Sequence, residues 1–417
     1  MNPASNRRKS NNLGPRRRPF DIVHIAQTTF PEDPRPRREA MLAAETGARV
    51  AIVVVGGGRE SRRVGHYGKV VVIRLSGKRR RGSVGRYLVE YLDFLLRARS
   101  LLHRDARVGR ARVFHIHTLP DFLIAATVRS RRSGARVILD LHEVFPEFTR
   151  SKFGGWKGAV GERVARWLER WSRRQADVVL TVNRAVEAQL RSRPARSGER
   201  IQVIHNFADP GEFGPSRMTD GKTGKPVRLV YHGTLTPLYG LDLAIEGVAQ
   251  ARALGVEAEL DIYGDGPAVA DLEAQIERLN LRSCVRLLGP APHQELRDIL
   301  PRYHAGLVPT RLDVMTRFSL STKLLEYIHL GLPVIVPAMP TYLEYFPDQT
   351  AWYFTPNSAL DIAAAIGRFA EAAPEERVRR AAAAQAASIS QLDPERDGAL
   401  LRALYLELLG QGRVLSS

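Results

Sequence analysis

The chain has 417 residues, 44% of them apolar, and a single cysteine, Cys284. That is enough hydrophobic material for two domains of about 200 residues each, and it excludes a disulfide scaffold or a thiolate metal cluster. The formal net charge of +19 implies a polyanionic partner: nucleic acid, an anionic lipid surface or phosphorylated substrates.

The first nineteen residues carry Arg7, Arg8, Lys9, Arg16, Arg17 and Arg18 with no acid and no apolar stretch, so they read as a disordered basic arm rather than a secretory signal. No run approaches the ~18 apolar residues of a membrane span. The expected location is the cytoplasm.

Phe20 to Ile25 is the first predicted strand, followed by a Pro/Arg-rich loop and a helix from Arg38 to Thr46. A strand from Val50 to Val55 ends in Gly56-Gly57-Gly58. The rhythm continues with Val70 to Leu75, a helix over 87–103, Val113 to His117, a helix over 121–132, Val137 to Leu141, a helix over 160–175, Val178 to Val182, and Gln202 to Ile204. Short β-branched runs alternating with helical stretches predict a parallel sheet covered on both faces, one doubly wound α/β domain over 20–213. Turn residues cluster over 214–226, the expected linker. The alternation restarts with strands at Arg228 to His232, Glu259 to Tyr263, Val285 to Leu288, Gly306 to Val308 and Val334 to Val336. This gives a second doubly wound domain over 227–395 and a closing helix over 396–417 that can pack back on the first domain.

Basic residues concentrate in the first half. Twelve fall between Arg74 and Arg112 against Glu90, Asp93 and Asp105, and eight between Arg150 and Arg174 against Glu162 and Glu169. In the second run Val160, Val164, Trp167, Leu168 and Trp171 follow helical spacing, while Arg163, Arg166, Arg170, Arg173 and Arg174 crowd the remainder. A helix packed on the sheet with its arginines in water accounts for this pattern. A functional reading adds peripheral docking on an anionic membrane.

The most informative stretch is Arg317-Phe-Ser-Leu-Ser-Thr-Lys-Leu-Leu-Glu-Tyr-Ile-His-Leu-Gly-Leu-Pro-Val-Ile-Val336, a loop, a helix and a buried strand in succession. Lys323 and Glu326 fall one helical turn apart and share a face. A cation and a carboxylate beside a helix N-terminus suit a ligand bearing both phosphate and sugar hydroxyls. The stretch resembles the nucleotide-sugar-binding segment of the retaining glycosyltransferases of family 4. Three more landmarks resemble that family in order: Tyr231-His-Gly-Thr-Leu-Thr-Pro-Leu-Tyr-Gly-Leu241, Ile262-Tyr-Gly-Asp-Gly-Pro267 and Leu287-Leu-Gly-Pro-Ala-Pro-His293. In the first half Val113-Phe-His-Ile-His-Thr-Leu-Pro120, with His117 expected exposed at a strand tip, Leu139-Asp-Leu-His-Glu-Val-Phe-Pro-Glu147 and Asp33-Pro-Arg-Pro-Arg-Arg-Glu-Ala40 are also similar.

The resemblance implies a GT-B fold, two Rossmann-like doubly wound domains facing a central cleft, and transfer of a sugar from a nucleotide diphosphate donor with retention of configuration. The acceptor it implies is a lipid-linked or glycan intermediate, and neither a metal nor a cofactor is required. Within that frame His117, Lys323 and Glu326 are the catalytic candidates. Gly233, Thr234, Gly264, Gly266, Arg311, Arg317, Ser319, Leu320, Ser321, Thr322, Lys323 and Glu326 would bind the nucleotide sugar. Asp33, Arg35, Arg38, His142 and Glu143 would line the acceptor side. The chain departs from the family where Phe318 replaces the first glutamate of the Glu-x7-Glu pattern, where Thr234 and Tyr239 stand near the usual diphosphate-binding Arg and Lys, and where Thr118 follows His117 in place of Asp. The rival reading is a non-catalytic polyanion-binding protein on the same fold. Specific nucleic-acid binding is not expected, because most aromatics in the basic runs fall on apolar helix faces.

Overall fold

The computed structural model describes residues 18–56, 64–77, 84–153, 155–214 and 222–411. Most of the predicted basic arm, Gly57-Gly58 and most of the predicted linker lie outside the described residues. The chain divides into two compact units: Met1–Asp140 with Gln175–Asp177 and Leu401–Ser417, and Leu141–Arg174 with Val178–Leu400.

In the first unit the strands are β1 (Ile22–Ala26), β2 (Val50–Gly56), β3 (Val64–Tyr67), β4 (Val70–Ser76), β5 (Val113–His117) and β6 (Arg136–Leu141), which reaches the unit's edge. They run in the order β3-β4-β2-β1-β5-β6, all parallel except β3 against β4. Strands β1 and β5 are buried along their whole length and β2 along all but its last residue, as a sheet covered on both faces requires. Strand β3 is absent from the sequence reading because Val64-Gly-His-Tyr has no β-branched run. It forms as the first arm of a hairpin turned at Gly68, whose φ is +54°.

The second unit contains the parallel pair β7 (Val178–Thr181) and β8 (Ile201–Val203). Its main sheet comprises β9 (Val227–His232), β10 (Ala258–Tyr263), β11 (Val285–Gly289), β12 (Ala305–Leu307), β13 (Val334–Pro337) and β14 (Trp352–Phe354). Their order is β11-β10-β9-β12-β13-β14, all parallel. Alternate residues sort to opposite faces. Leu229 and Tyr231 join Leu260, Ile262 and the helices Leu241–Ala253 and Ala359–Glu371, whereas Val230 joins Val334, Val336 and the helix Thr322–His329. Cys284 is buried in the first of these layers. Strand β14, only three residues long, is also missing from the sequence reading.

Gly306 sits on β12 under the Tyr327 ring, where an added Cβ would lie 2.3 Å from Cδ2. The Tyr327 hydroxyl accepts the His232 amide at 3.1 Å and so ties its helix to the end of β9. Substituting Gly306→Ala is therefore expected to destabilise the protein by about 1–3 kcal/mol, the cost of overpacking a close-packed layer. A lowered urea midpoint at unchanged slope is the expected measurement.

Candidate functional site

Strand β9 has β10 on one side and β12 on the other, so chain connections leave in opposite directions at that point. Such a switch point opens a crevice beyond the strand C-termini. The segments emerging there are Gly233–Gly240 after β9, Gly264–Gly266 after β10 and Val308–Ser321 after β12. Two of them interlock closely: the Gly233 amide donates to the Tyr263 carbonyl at 2.8 Å, and the Leu235 amide to the Asp265 carbonyl at 3.0 Å. A Cβ on Gly264 would stand 1.9 Å from the Gly233 oxygen, and one on Gly266 2.2 Å from the Leu235 oxygen.

A cavity of about 230 Å³ lies here, within the second unit. Its wall is formed by His142 and Glu143, by Leu238 and Tyr239, by Thr310 and Tyr342, and by the run Phe318 to Lys323. Of the sequence candidates, the structure therefore brings His142, Glu143, Ser319, Leu320, Ser321, Thr322 and Lys323 together. The helix Thr322–His329 begins at this wall, and the Ser321 side chain does not cap it. Its first-turn amides are available to an anion, and the helix dipole adds to that preference.

Lys323 occupies the space left by Gly233. A Cβ at Gly233 would lie 2.2 Å from Lys323 Cε, and the Gly233 φ of +119° is closed to other residues. The ammonium rests 4.2 Å from the Tyr239 ring centroid and 5.6 Å from that of Tyr231. Rings hold it there without neutralising it. Burial pulls its pKa below the ordinary lysine value, and Glu326 opposes the shift without cancelling it. Glu326, one turn further along the helix, is buried with its Oε2 3.0 Å from His232 Nε2.

The loop before this helix is held at several points. Asn183 accepts the Val186 amide as a helix cap and donates its Nδ2 to the Phe318 carbonyl at 2.8 Å. Asp313 Oδ1 accepts the Met315 and Thr316 amides at 2.8 and 2.7 Å, and its other oxygen accepts from Ser151. Tyr239, His232 and Asn183 were missed as site residues. Tyr239 and His232 lie inside the motif after β9, where a ring two positions beyond a proline and a histidine before a glycine are the only signals.

The other candidates are placed differently. Arg311 pairs with the Asp242 carboxylate and donates Nε to the Pro237 carbonyl at 3.1 Å, so it braces the loop instead of supplying a free cation. Arg317 is exposed, with its guanidinium 5.2 Å over Phe318. Thr234 is exposed, and its carbonyl accepts from Tyr231.

Asp33, Arg35, Arg38 and His117 belong to the first unit. Asp33 immediately precedes the helix Pro34–Glu45, which carries the partly buried Arg38. Arg35, expected to face an acceptor, is 4% exposed and grips Asp140 with two hydrogen bonds of 2.9 and 2.7 Å. His117, expected exposed at a strand tip, is 1% exposed, with Nε2 3.0 Å from His24 and Nδ1 3.2 Å from Asp140. Its register partners, Ala26 of β1 and Asp140 of β6, are both buried and flank it on either side.

The family model Glycosyltransferase Family 4 matches residues 40–212, and the model Glycosyl transferases group 1 matches residues 216–387. The phosphatidylinositol N-acetylglucosaminyltransferase GPI3 subunit of Saccharomyces cerevisiae is 26% identical over 200 residues, 46% of this chain and 42% of that protein. The chain thus spans less than half the length of that relative. Among solved structures, sucrose-phosphate synthase from Thermosynechococcus elongatus superposes with a TM-score of 0.74 at 17% identity, over 94% of this chain and all of that one. Anabaena Alr3699/HepE in complex with UDP gives 0.63 at 15% identity, over 92% and 98%.

Because the Lys323 pKa is lowered, the ammonium loses its proton at a lower pH than a free lysine, and anion binding requires the charged form. Affinity for pyrophosphate should therefore fall as pH rises through that lowered pKa. In Lys323→Arg, where the guanidinium stays charged, the alkaline loss should vanish. Calorimetric titration of both proteins across pH checks this, and their difference removes the titration of the probe itself.

Proposed function

The chain belongs to glycosyltransferase family 4, and we propose from this that it moves a sugar from a nucleotide diphosphate donor to an acceptor with retention of anomeric configuration. The observation that carries the reading is Lys323 held on the cavity wall beside an uncapped helix N-terminus. Leaving-group departure places new negative charge on the diphosphate. A fixed ammonium and a row of amides already oriented toward that position stabilise the charge without reorganisation. In this scheme no metal is required for the transfer, because protein cations and the helix end do that work.

Glu326 takes the ribose diol, its carboxylate oriented by His232. Ser319 to Thr322 present their backbone to the phosphates, and the glycines at 233, 264 and 266 let Lys323 and the neighbouring loops close up beside that position. His142 and Glu143 face the acceptor. His117 is left out of this assignment, since both its ring nitrogens meet buried partners. The complex of HepE with UDP supports a UDP-sugar over a GDP-sugar as donor. The match to glycosyltransferase models gives no support to a purely polyanion-binding role.

Replacing Lys323 with Ala should remove roughly 2–4 kcal/mol of transition-state stabilisation, about a hundredfold in rate, with the fold intact. Glu326→Gln should weaken nucleoside diphosphate binding by roughly 1–3 kcal/mol. Turnover of the first variant near that of the wild type, or unchanged calorimetric affinity in the second, would remove the corresponding role. A UDP-sugar present at a hundred times its dissociation constant should add about 2.7 kcal/mol of stability, and a GDP-sugar panel is the control.

We propose further that the acceptor is lipid-linked, an intermediate of envelope or exopolysaccharide synthesis, met at the inner face of the membrane. The support is the helix Gly155–Gln175. Instead of packing inward, Trp156, Val160, Val164 and Trp167 are 73%, 51%, 54% and 65% exposed. Arg163, Arg166 and Arg170 flank them in solvent. Arg173 does not contribute, being fully buried between Glu169 and Glu199. An apolar stripe edged by arginines is the signature of a helix lying in the headgroup layer. In the first unit Val89, Leu92 and Leu96 are likewise exposed on the helix Val84–Arg104. No described helix is long and apolar enough to cross a membrane, and the attachment proposed is peripheral. At about 1 kcal/mol per engaged basic residue, it should favour anionic vesicles and weaken with salt. Co-sedimentation with anionic and neutral vesicles at low and high salt tests this, and equal partition to both would leave a soluble acceptor as the better account.

A further inference from the structure

The first unit encloses a cluster of titratable side chains that the proposed transfer does not use. On β5 the period of two sets His115 and His117 on one face of the sheet. Cross-strand register then places His24 of β1 opposite His115, and Asp140 of β6 opposite His117. Glu39, from the helix Pro34–Glu45, completes the group. All five are 0–1% exposed.

Four donor atoms converge. His115 Nε2 lies 3.3 Å from Glu39 Oε2 and 3.9 Å from Asp140 Oδ2, and His117 Nδ1 lies 3.8 and 3.2 Å from the same two oxygens. Nitrogen and oxygen ligands at about 2.0–2.2 Å around a tetrahedral zinc ion stand roughly 3.3–3.6 Å apart; the four atoms here all lie within 4.8 Å of one another, two of the pairs at 3.2 and 3.3 Å, so small side-chain shifts would close them on an ion. The surrounding hydrogen bonds agree. The Tyr405 hydroxyl lies 2.8 Å from His115 Nδ1 and 3.5 Å from the Glu39 carbonyl, so it can donate to the carbonyl while accepting from Nδ1. In that tautomer the Nε2 lone pair of His115 faces a carboxylate oxygen, and a cation or a proton between them satisfies both. His117 turns its outer nitrogen to His24 at 3.0 Å, and Arg35 donates to both Asp140 oxygens, at 2.9 Å to Oδ2 and 2.7 Å to Oδ1, with its Nε 3.3 Å from Glu39 Oε1. Ligand histidines and carboxylates are oriented by such outer partners.

We propose that Glu39, His115, His117 and Asp140 form a buried, closed site for a divalent transition metal, zinc by its mixed imidazole and carboxylate donors. With four protein ligands and no approach from solvent, the ion is structural and clamps the helix Pro34–Glu45 onto β5 and β6. The alternative occupant of the centre is a proton, carried by Glu39 or by one imidazole.

The test is elemental analysis of the full chain, purified without an affinity tag and dialysed against zinc and then against buffer. About one zinc per chain is expected in the wild type, and less than a tenth of that in Glu39→Gln and His115→Ala. A cobalt-loaded wild-type protein should show intense visible absorption bands of tetrahedral Co(II), a readout that remains if a variant fails to fold. Folded wild-type protein that takes up neither ion, or zinc that persists at one per chain in a folded His115→Ala variant, would overturn the site and assign the centre to the proton network. Either result is independent of the transferase reading, which rests on residues of the other unit.

Discussion

The candidate site depends on a missing side chain. Lys323 reaches the cavity because Gly233 leaves a volume that its stem fills, and Gly233 tolerates its backbone conformation only because it is glycine. Around that contact the other parts fall into order. Gly264 allows the neighbouring loop to close against the Gly233 carbonyl, and Tyr239 provides the ring on which the ammonium rests. A lysine on a flexible stem is a poor catalyst of fixed geometry unless something restricts its rotamers. Here the restriction is steric packing on three sides, in place of an ion pair that would spend the charge.

Elsewhere among the described residues several buried charges come in groups. Arg35 meets Asp140 and Glu39, Arg173 meets Glu169 and Glu199, and His205 meets Asp397 and the Tyr345 hydroxyl. Each group links segments far apart in sequence, Arg35 to Asp140 across 105 positions and His205 to Asp397 across 192. An apolar contact tolerates small shifts of register, whereas removing one partner of a buried pair leaves an uncompensated charge that costs several kcal/mol. These pairs therefore help to specify which strands and helices meet.

Most of the architecture was legible in the sequence, because a parallel sheet buried on both faces leaves unbroken β-branched runs that need no partner to be recognised. The site loop was legible for a related reason: Ser319 to Lys323 must supply amides and a cation at one helix end. Two kinds of feature were not legible. Strands β3 and β14 are short and owe their existence to the neighbours they pair with. The states of Arg35, His117 and the Trp156 to Trp167 stripe depend on what covers them. A strand-end histidine looks the same in sequence whether solvent or a carboxylate lies beyond it, and an amphipathic helix does not announce which of its faces turns inward.

Cys284 is buried, with its thiol hydrogen-bonded to the Leu281 carbonyl at 3.4 Å. Since it is the single cysteine of the chain, the native protein offers maleimide reagents essentially no accessible thiolate. A cysteine introduced at exposed Thr322 would then be the sole labelling position. A fluorophore or spin label there would report directly on occupancy of the cavity, with no need first to strip a background of reactive thiols from the wild-type sequence.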